Sequence, residues 1–169
     1  EALDTCCRNI LSVVAKTRTA KGEKKEGIDY EAHAELARQA AEESFVLLKN
    51  DAALPLNKGA TVALFGNGSF ATVYGGGGSG VVHSKTNISI FDGIKASGSL
   101  TLYDESGSPF RGCEAHDVND PSKDVEVTVS YAERCAKEAG TAVIVLSRQA
   151  IEGVDSSNRL GDFRLNQAE

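Results

Sequence analysis

Residues 60–80 read Ala-Thr-Val-Ala-Leu-Phe-Gly-Asn-Gly-Ser-Phe-Ala-Thr-Val-Tyr-Gly-Gly-Gly-Gly-Ser-Gly, and this stretch decides the fold. Thr61–Phe65 is a short, unbroken apolar run, the pattern of a strand buried on both faces. It stops abruptly in a glycine-rich loop over 66–80. Downstream, residues 88–96 carry a helical period with Gly98 just past the end, and 100–103 read as a second strand. Residues 107–122 are loop-like. A helix follows over 131–139, closed by Gly140 in the usual C′ role, and 142–146 form a third strand. Val125, Val127, Val129 and Tyr131 alternate, so the start of that helix also reads as a strand. Aliphatic strands alternating with helices predict an α/β fold, a three-layer αβα sandwich with a mainly parallel sheet. Ligands of such sheets collect beyond the carboxyl ends of the strands. Two loops occupy that position, the glycine loop after Phe65 and the segment beginning at Ser147.

Upstream of the sheet, residues 3–15 place Leu3, Cys6, Cys7, Ile10, Leu11 and Val14 on one helical stripe. Residues 17–27 lack any apolar period and read as a linker. A second helix starts at Asp29, a good N-cap, with Glu31 near its positive end. Tyr30, His33, Ala34, Ala37, Ala40, Ala41 and Ser44 lie along one side of it. The run Phe45-Val-Leu-Leu48 loses the helical period and predicts a short buried strand, and Leu54-Pro55-Leu56 an extended apolar clip.

Composition narrows the function. The chain has 169 residues, 41% hydrophobic and 25% charged, as in ordinary folded domains. Eighteen Lys and Arg against 24 Asp and Glu give a net charge of −6, without the basic stripe of a nucleic-acid binder. No apolar run approaches the ~20 residues of a membrane helix, so neither nucleic acid nor a membrane is an expected partner. The chain contains no Met, which suggests that Glu1 is not a translation start and that the sequence is a piece of something longer. Cys6 and Cys7 are adjacent, Cys113 and Cys135 isolated, and none has zinc-site spacing. His33, His83 and His116 have no Cys or carboxylate at ligand spacing, so no metal is expected. Asn67 and Asn87 each begin an Asn-x-Ser sequon, a motif short enough to arise by chance.

Two chemistries deserve comparison. Gly66-Asn-Gly-Ser-Phe-Ala71 matches the dinucleotide fingerprint G-x-G-x-x-A, which works by bringing a helix N-terminus against a pyrophosphate. Gly75 to Gly78 follow at once and would break that helix. Val81-Val82 stand where a phosphate loop needs its Lys and Ser/Thr. The other loop, Ser147-Arg-Gln-Ala-Ile-Glu-Gly-Val-Asp155, puts Glu152 and Asp155 at the ligand edge. A carboxylic acid donates protons near neutrality only where desolvation or a second carboxylate favours its protonated form. No G-x-S-x-G elbow supplies a serine nucleophile.

Several blocks taken together carry a family resemblance. These are His33-Ala-Glu-Leu-Ala-Arg-Gln-Ala-Ala-Glu-Glu-Ser-Phe-Val-Leu-Leu-Lys-Asn50, Leu54-Pro55-Leu56, Val62-Ala-Leu-Phe-Gly66, Gly75 to Gly80, Ser147-Arg148, Glu152-Gly153 with Asp155, Gly161-Asp-Phe-Arg-Leu165 and Glu169. In order and spacing they resemble glycoside hydrolase family 3 over most of the chain. The family commonly shows Gly-Glu-Gly-x-Asp-Arg, where this sequence has Ile151 before the glutamate and Ser156 after Asp155.

The resemblance implies a (β/α)8 barrel followed by an α/β sandwich. Residues 1–20 would then be the barrel's last helix, 21–28 the interdomain linker, and 29–169 a sandwich domain incomplete at its C-terminus. A barrel takes ~250 residues, so it would lie upstream in the same polypeptide. The implied activity is retaining, exo-acting hydrolysis of a β-glycoside, of β-glucosidase or β-xylosidase type, with no cofactor. Glu152 matches the family's general acid/base and Asp155 reads as structuring its loop. The nucleophile is a barrel aspartate absent from this chain, so the fragment alone is expected to be inactive. Ser79 is the expected sugar contact. The alternative is a non-catalytic carbohydrate-binding or structural sandwich module.

Overall fold

The computed structural model describes residues 1–23, 27–84, 86–117 and 119–169; the linker expected over 21–28 therefore lies partly outside the described residues. The chain forms two compact units, Glu1–Asp51 and Ala52–Glu169.

The first unit holds two helices, α1 (Ala2–Val14) and α2 (Tyr30–Ser44). The apolar stripe of α1 faces solvent throughout. Helix α2 begins as its sequence predicts: the Asp29 side chain accepts a hydrogen bond from the Ala32 amide at 2.9 Å. On its surface Arg38 pairs with Glu35 at 2.7 Å and also with Glu42. The strand expected over 45–48 does not form. Phe45, Val46, Leu47 and Leu48 are extended and 63–93% exposed. A strand exists only through a ladder with another strand, and among its described residues this unit has helices and no strand.

The second unit is the α/β sandwich. Its sheet is β1 (Thr61–Phe65), β2 (Thr101–Leu102) and β3 (Thr141–Ile144), all parallel in the order β2-β1-β3. Val62 pairs with Thr141 and Phe65 with Ile144, while Thr61 pairs with Thr101. Central β1 carries the longest apolar run and is the most deeply buried strand. Its side chains alternate between the two faces. Ala63 and Phe65 pack with Tyr131 and Cys135 of α4 (Val129–Glu138), whereas Leu64 lines a small pocket together with Phe70 and Phe91, the latter on α3 (Ile90–Ser97). The helices therefore cover opposite faces and make the expected three layers. Phe70 and Phe91 stack at 4.8 Å, and Phe65 meets Tyr131 edge-on at 6.0 Å.

Both helices of this unit are capped by hydroxyls. Ser89 accepts from the Asp92 amide at 3.0 Å and Thr128 from the Tyr131 amide at 3.3 Å. Gly98 ends α3 in the left-handed conformation at φ 60°. The alternating residues before α4 resolve as helix from Val129 onward, with 125–128 extended and unpaired.

The turn out of β1 depends on a glycine. Gly66 has φ 86°, and a Cβ there would stand 2.3 Å from the Val145 carbonyl oxygen. Any side chain would push apart the two strand ends from which the candidate loops start.

Candidate functional site

The loops after β1 and β3 leave the same edge of the sheet, as parallel strands require. The fingerprint-like segment does not start a helix. Asn67–Ser69 is a single 3-10 turn, and the Asn67 side chain, 5% exposed, is used as structural cement. Its Nδ2 donates to the Glu114 and Lys123 carbonyls at 2.8 and 3.0 Å, and its Oδ1 accepts from the Val125 amide at 3.0 Å. This arrangement leaves no helix terminus for a pyrophosphate. It also removes Asn67 from consideration as a glycan acceptor, because both amide hydrogens are spent in the interior.

Further along, the glycine loop and the post-β3 loop run together. Gly77 and Ile151 form a parallel bridge, the Gly77 amide donates to the Ala150 carbonyl at 2.9 Å, and Gln149 Nε2 donates to the Gly75 carbonyl at 3.2 Å. A Cβ on Gly78 would lie 4.0 Å from both the Cβ and the amide nitrogen of Glu152. Glu152 and the glycine loop are thus brought side by side. Ser79 is in the next turn, Gly78–Gly80. Glu152, Asp155 and Ser79 are exposed, and their side chains have no hydrogen-bond or ionic partner among the described residues, so Asp155 makes no contact there that would structure its loop. His33 and His83 are exposed and stand in no such cluster.

Sequence reading missed a buried polar hub beneath this edge. The side chains of His116 and Asp124 are 4% and 5% exposed and pair at 2.7 Å through Nδ1. On its other side, His116 Nε2 bonds the Gly161 carbonyl. Both partners are oxygens, one of a carboxylate and one of a backbone carbonyl, so both ring nitrogens are engaged. Asn166 Nδ2 also donates to Asp124. Arg148 forks onto Glu169, with Nη2 to Oε2 at 2.9 Å, while its Nε donates to the Asp162 carbonyl.

Burial alone would raise the Glu169 carboxyl, but Arg148, the Asn166 amide and nearby His116 outweigh it and hold it below the usual range. His116, Asp124 and Glu169 bring ligating atoms within 4.8 Å of one another. The donors Arg148 and Asn166 already occupy the carboxylates, and both imidazole nitrogens are engaged. The cluster is thus built as a clamp, and a cation would have to displace it. Nothing in the local spacing reveals it: His116 and Asp124 lie in and beside a stretch read as loop, and Glu169 is far along the chain. The clamp joins both ends of the Glu152 loop to the body of the domain. Beside it opens a cleft of about 800 Å3, lined by His116, Lys123, Arg148, Gln149 and Ile151.

A smaller turn organises the rest of the loop. Asp162 accepts from the Ser157 amide at 2.6 Å and hydroxyl at 2.9 Å. The Ser157 backbone bond leads in holding its carboxyl below the ordinary aspartate range. Because the folded state favours the charged form, this contribution is full above the unfolded value of ~3.9 and is lost as pH falls through the lower folded value. The Ser157 amide resonance should titrate with a midpoint below about 4 and stay flat in Asp162→Asn. A midpoint above that value would contradict the assignment.

The geometry agrees with the comparisons. The profile of the Glycosyl hydrolase family 3 C-terminal domain matches residues 45–168. The chain belongs to this family.

It is 36% identical over 134 residues to beta-glucosidase A of Butyrivibrio fibrisolvens, covering 73% of this chain and 16% of that protein. It is 38% identical over 109 residues to an exo-alpha-(1->6)-L-arabinopyranosidase of Bifidobacterium longum, covering 56% of this chain and 14% of the relative. The solved structure of beta-glucosidase 3B from Thermotoga neapolitana in complex with glucose superposes with a TM-score of 0.80 at 35% identity, covering 99% of this chain and 25% of that one. The family 3 segment described here therefore spans a quarter or less of these relatives. No helix among its described residues is long and apolar enough to cross a membrane.

Proposed function

We propose that this chain is the acid/base-bearing part of a retaining, exo-acting β-glycosidase of β-glucosidase or β-xylosidase type. Glu152 is its general acid/base, and an upstream (β/α)8 barrel of the same polypeptide supplies the nucleophile. In this reading residues 1–20 are the barrel's last helix, 21–28 the linker and 29–169 the sandwich domain.

The observation that supports it most is the placement of Glu152, a carboxylate unpartnered among the described residues, on a clamped loop beside the glycine-rich turn. A structural carboxylate would be expected to use its oxygens, as Asp162 and Glu169 do. In a retaining hydrolase the two carboxyl groups stand ~5–5.5 Å apart across the glycosidic bond. Glu152 would give its proton to the leaving oxygen while the barrel carboxylate attacks the anomeric carbon. It would then take a proton from the water that releases the sugar. Glu152 stands in solvent here, so the desolvation that keeps such an acid protonated must come from the barrel closing over it. Gly75 and Gly80, where an added Cβ would meet no atom within 4 Å, let a sugar approach the backbone, and Ser79 offers it a hydroxyl.

The test is proton NMR of an aryl β-glucoside treated with the full-length protein. The first anomer released should be β, and the 169-residue chain alone should release none. An α anomer first, or turnover by the chain alone, would overturn the reading. Binding of glucose by the full-length protein without hydrolysis would favour the non-catalytic carbohydrate module instead.

A further inference from the structure

We propose that Ile151 is the positioning residue of the acid/base loop, with Gly77 as the socket that receives its side chain; this rests on the reading of Glu152 given above. A Cβ built on Gly77 would lie 2.7 Å from Ile151 Cγ1, 3.3 Å from Cδ1 and 3.4 Å from Cγ2. The isoleucine side chain thus occupies the space that any side chain at 77 would need. The backbone of Gly77, at φ −90° and ψ 175°, is open to any residue, so the demand for glycine comes from the space that Ile151 fills. The Gly77 amide bond to the Ala150 carbonyl fixes the register of the two segments.

On its other side, Ile151 forms an antiparallel bridge with Val154, and the Val154 amide donates to the Ile151 carbonyl at 3.1 Å. Glu152 and Gly153, the latter at φ 77°, are the corner of this tight turn. Once Ile151 is seated, the turn leaves Glu152 little freedom beyond its own side-chain torsions. The β-branched Ile151 is itself restricted at χ1. Removing its branches would leave Glu152 attached to an unseated corner.

A size swap in the full-length protein tests this, with kcat/KM, which reports the bond-breaking step, measured on one glycoside with a poor leaving group and one with an activated leaving group. Ile151→Ala empties the socket and Gly77→Ala collides with the isoleucine branches. Each should lower kcat/KM on the poor-leaving-group substrate by ~10–100-fold, the scale of a misplaced catalytic group, and the activated substrate far less. The double variant, which relieves the collision, should recover most of the loss relative to Gly77→Ala. A general loss of folding would depress both substrates equally, and that pattern overturns the inference. Glu152→Gln is measured alongside. If it is leaving-group selective while the two size variants are additive, the positioning role falls and the acid/base reading stands. If Glu152→Gln loses both substrates equally, the acid/base reading falls and this inference falls with it.

Discussion

Glu152→Gln in the full-length protein is expected to slow substrates with poor leaving groups by ~10²–10⁴-fold, the usual worth of a positioned proton donor. Glycosides of acidic phenols, whose oxygen leaves without a proton, should lose far less in the bond-breaking step. The substitution keeps size and shape. The side chain makes no contact with the described residues that glutamine would break, so folding is not expected to confound the measurement. Steady-state kcat/KM across a series of leaving groups is the measurement, with a steeper dependence on leaving-group pKa expected in the variant. Equal losses across the series would remove Glu152 from the acid/base role. Asp155→Asn provides the internal comparison: Asp155 is an equally exposed carboxylate of the same loop, and its loss should leave the dependence unchanged.

His116→Ala should be the most damaging single change to the fold itself. It removes the imidazole from Asp124 and from the Gly161 carbonyl at once, leaving a carboxylate with 5% side-chain exposure that has, among the described residues, Asn166 as its remaining side-chain partner. Breaking a buried pair from one side costs about 3–5 kcal/mol, a large share of the stability of a domain this size. Urea unfolding of the 169-residue chain reads this directly. Arg159→Ala is the control: its ion pair with Asp162 is long, at 3.7 Å, and the arginine is half exposed, so the change should cost under about 1 kcal/mol. A loss of that small size in His116→Ala would mean that the clamp contributes little. The same variant should also expose residues 147–165 to protease, because both ends of that loop hang from the hub.

How far the sequence carried these conclusions depended on the range of each interaction. Strand β1, the N-cap Asp29 and the helix-ending Gly98 were legible because their signals lie within a few residues. Phe45 to Leu48 misled for a related reason: an apolar run says that a segment seeks burial but not against what. The hub was invisible because His116, Gly161 and Glu169 meet only after the chain has folded through β3 and back. Glu152 could be reached through a series of motif blocks. The service of Ile151 could not, since it lies in a fit to a glycine 74 positions earlier, between two residues that look unremarkable alone.

That fit bears on inheritance. A bulky residue before the acid and a bare glycine in the opposite loop are two halves of one shape, so neither can drift freely without the other. The clamp below them, by contrast, touches only the roots of the loop. Recombination between family members should therefore tolerate exchange of the two loop tips as a matched cassette on a constant base. A chimera that takes one tip without its counterpart should keep the fold and lose its aim.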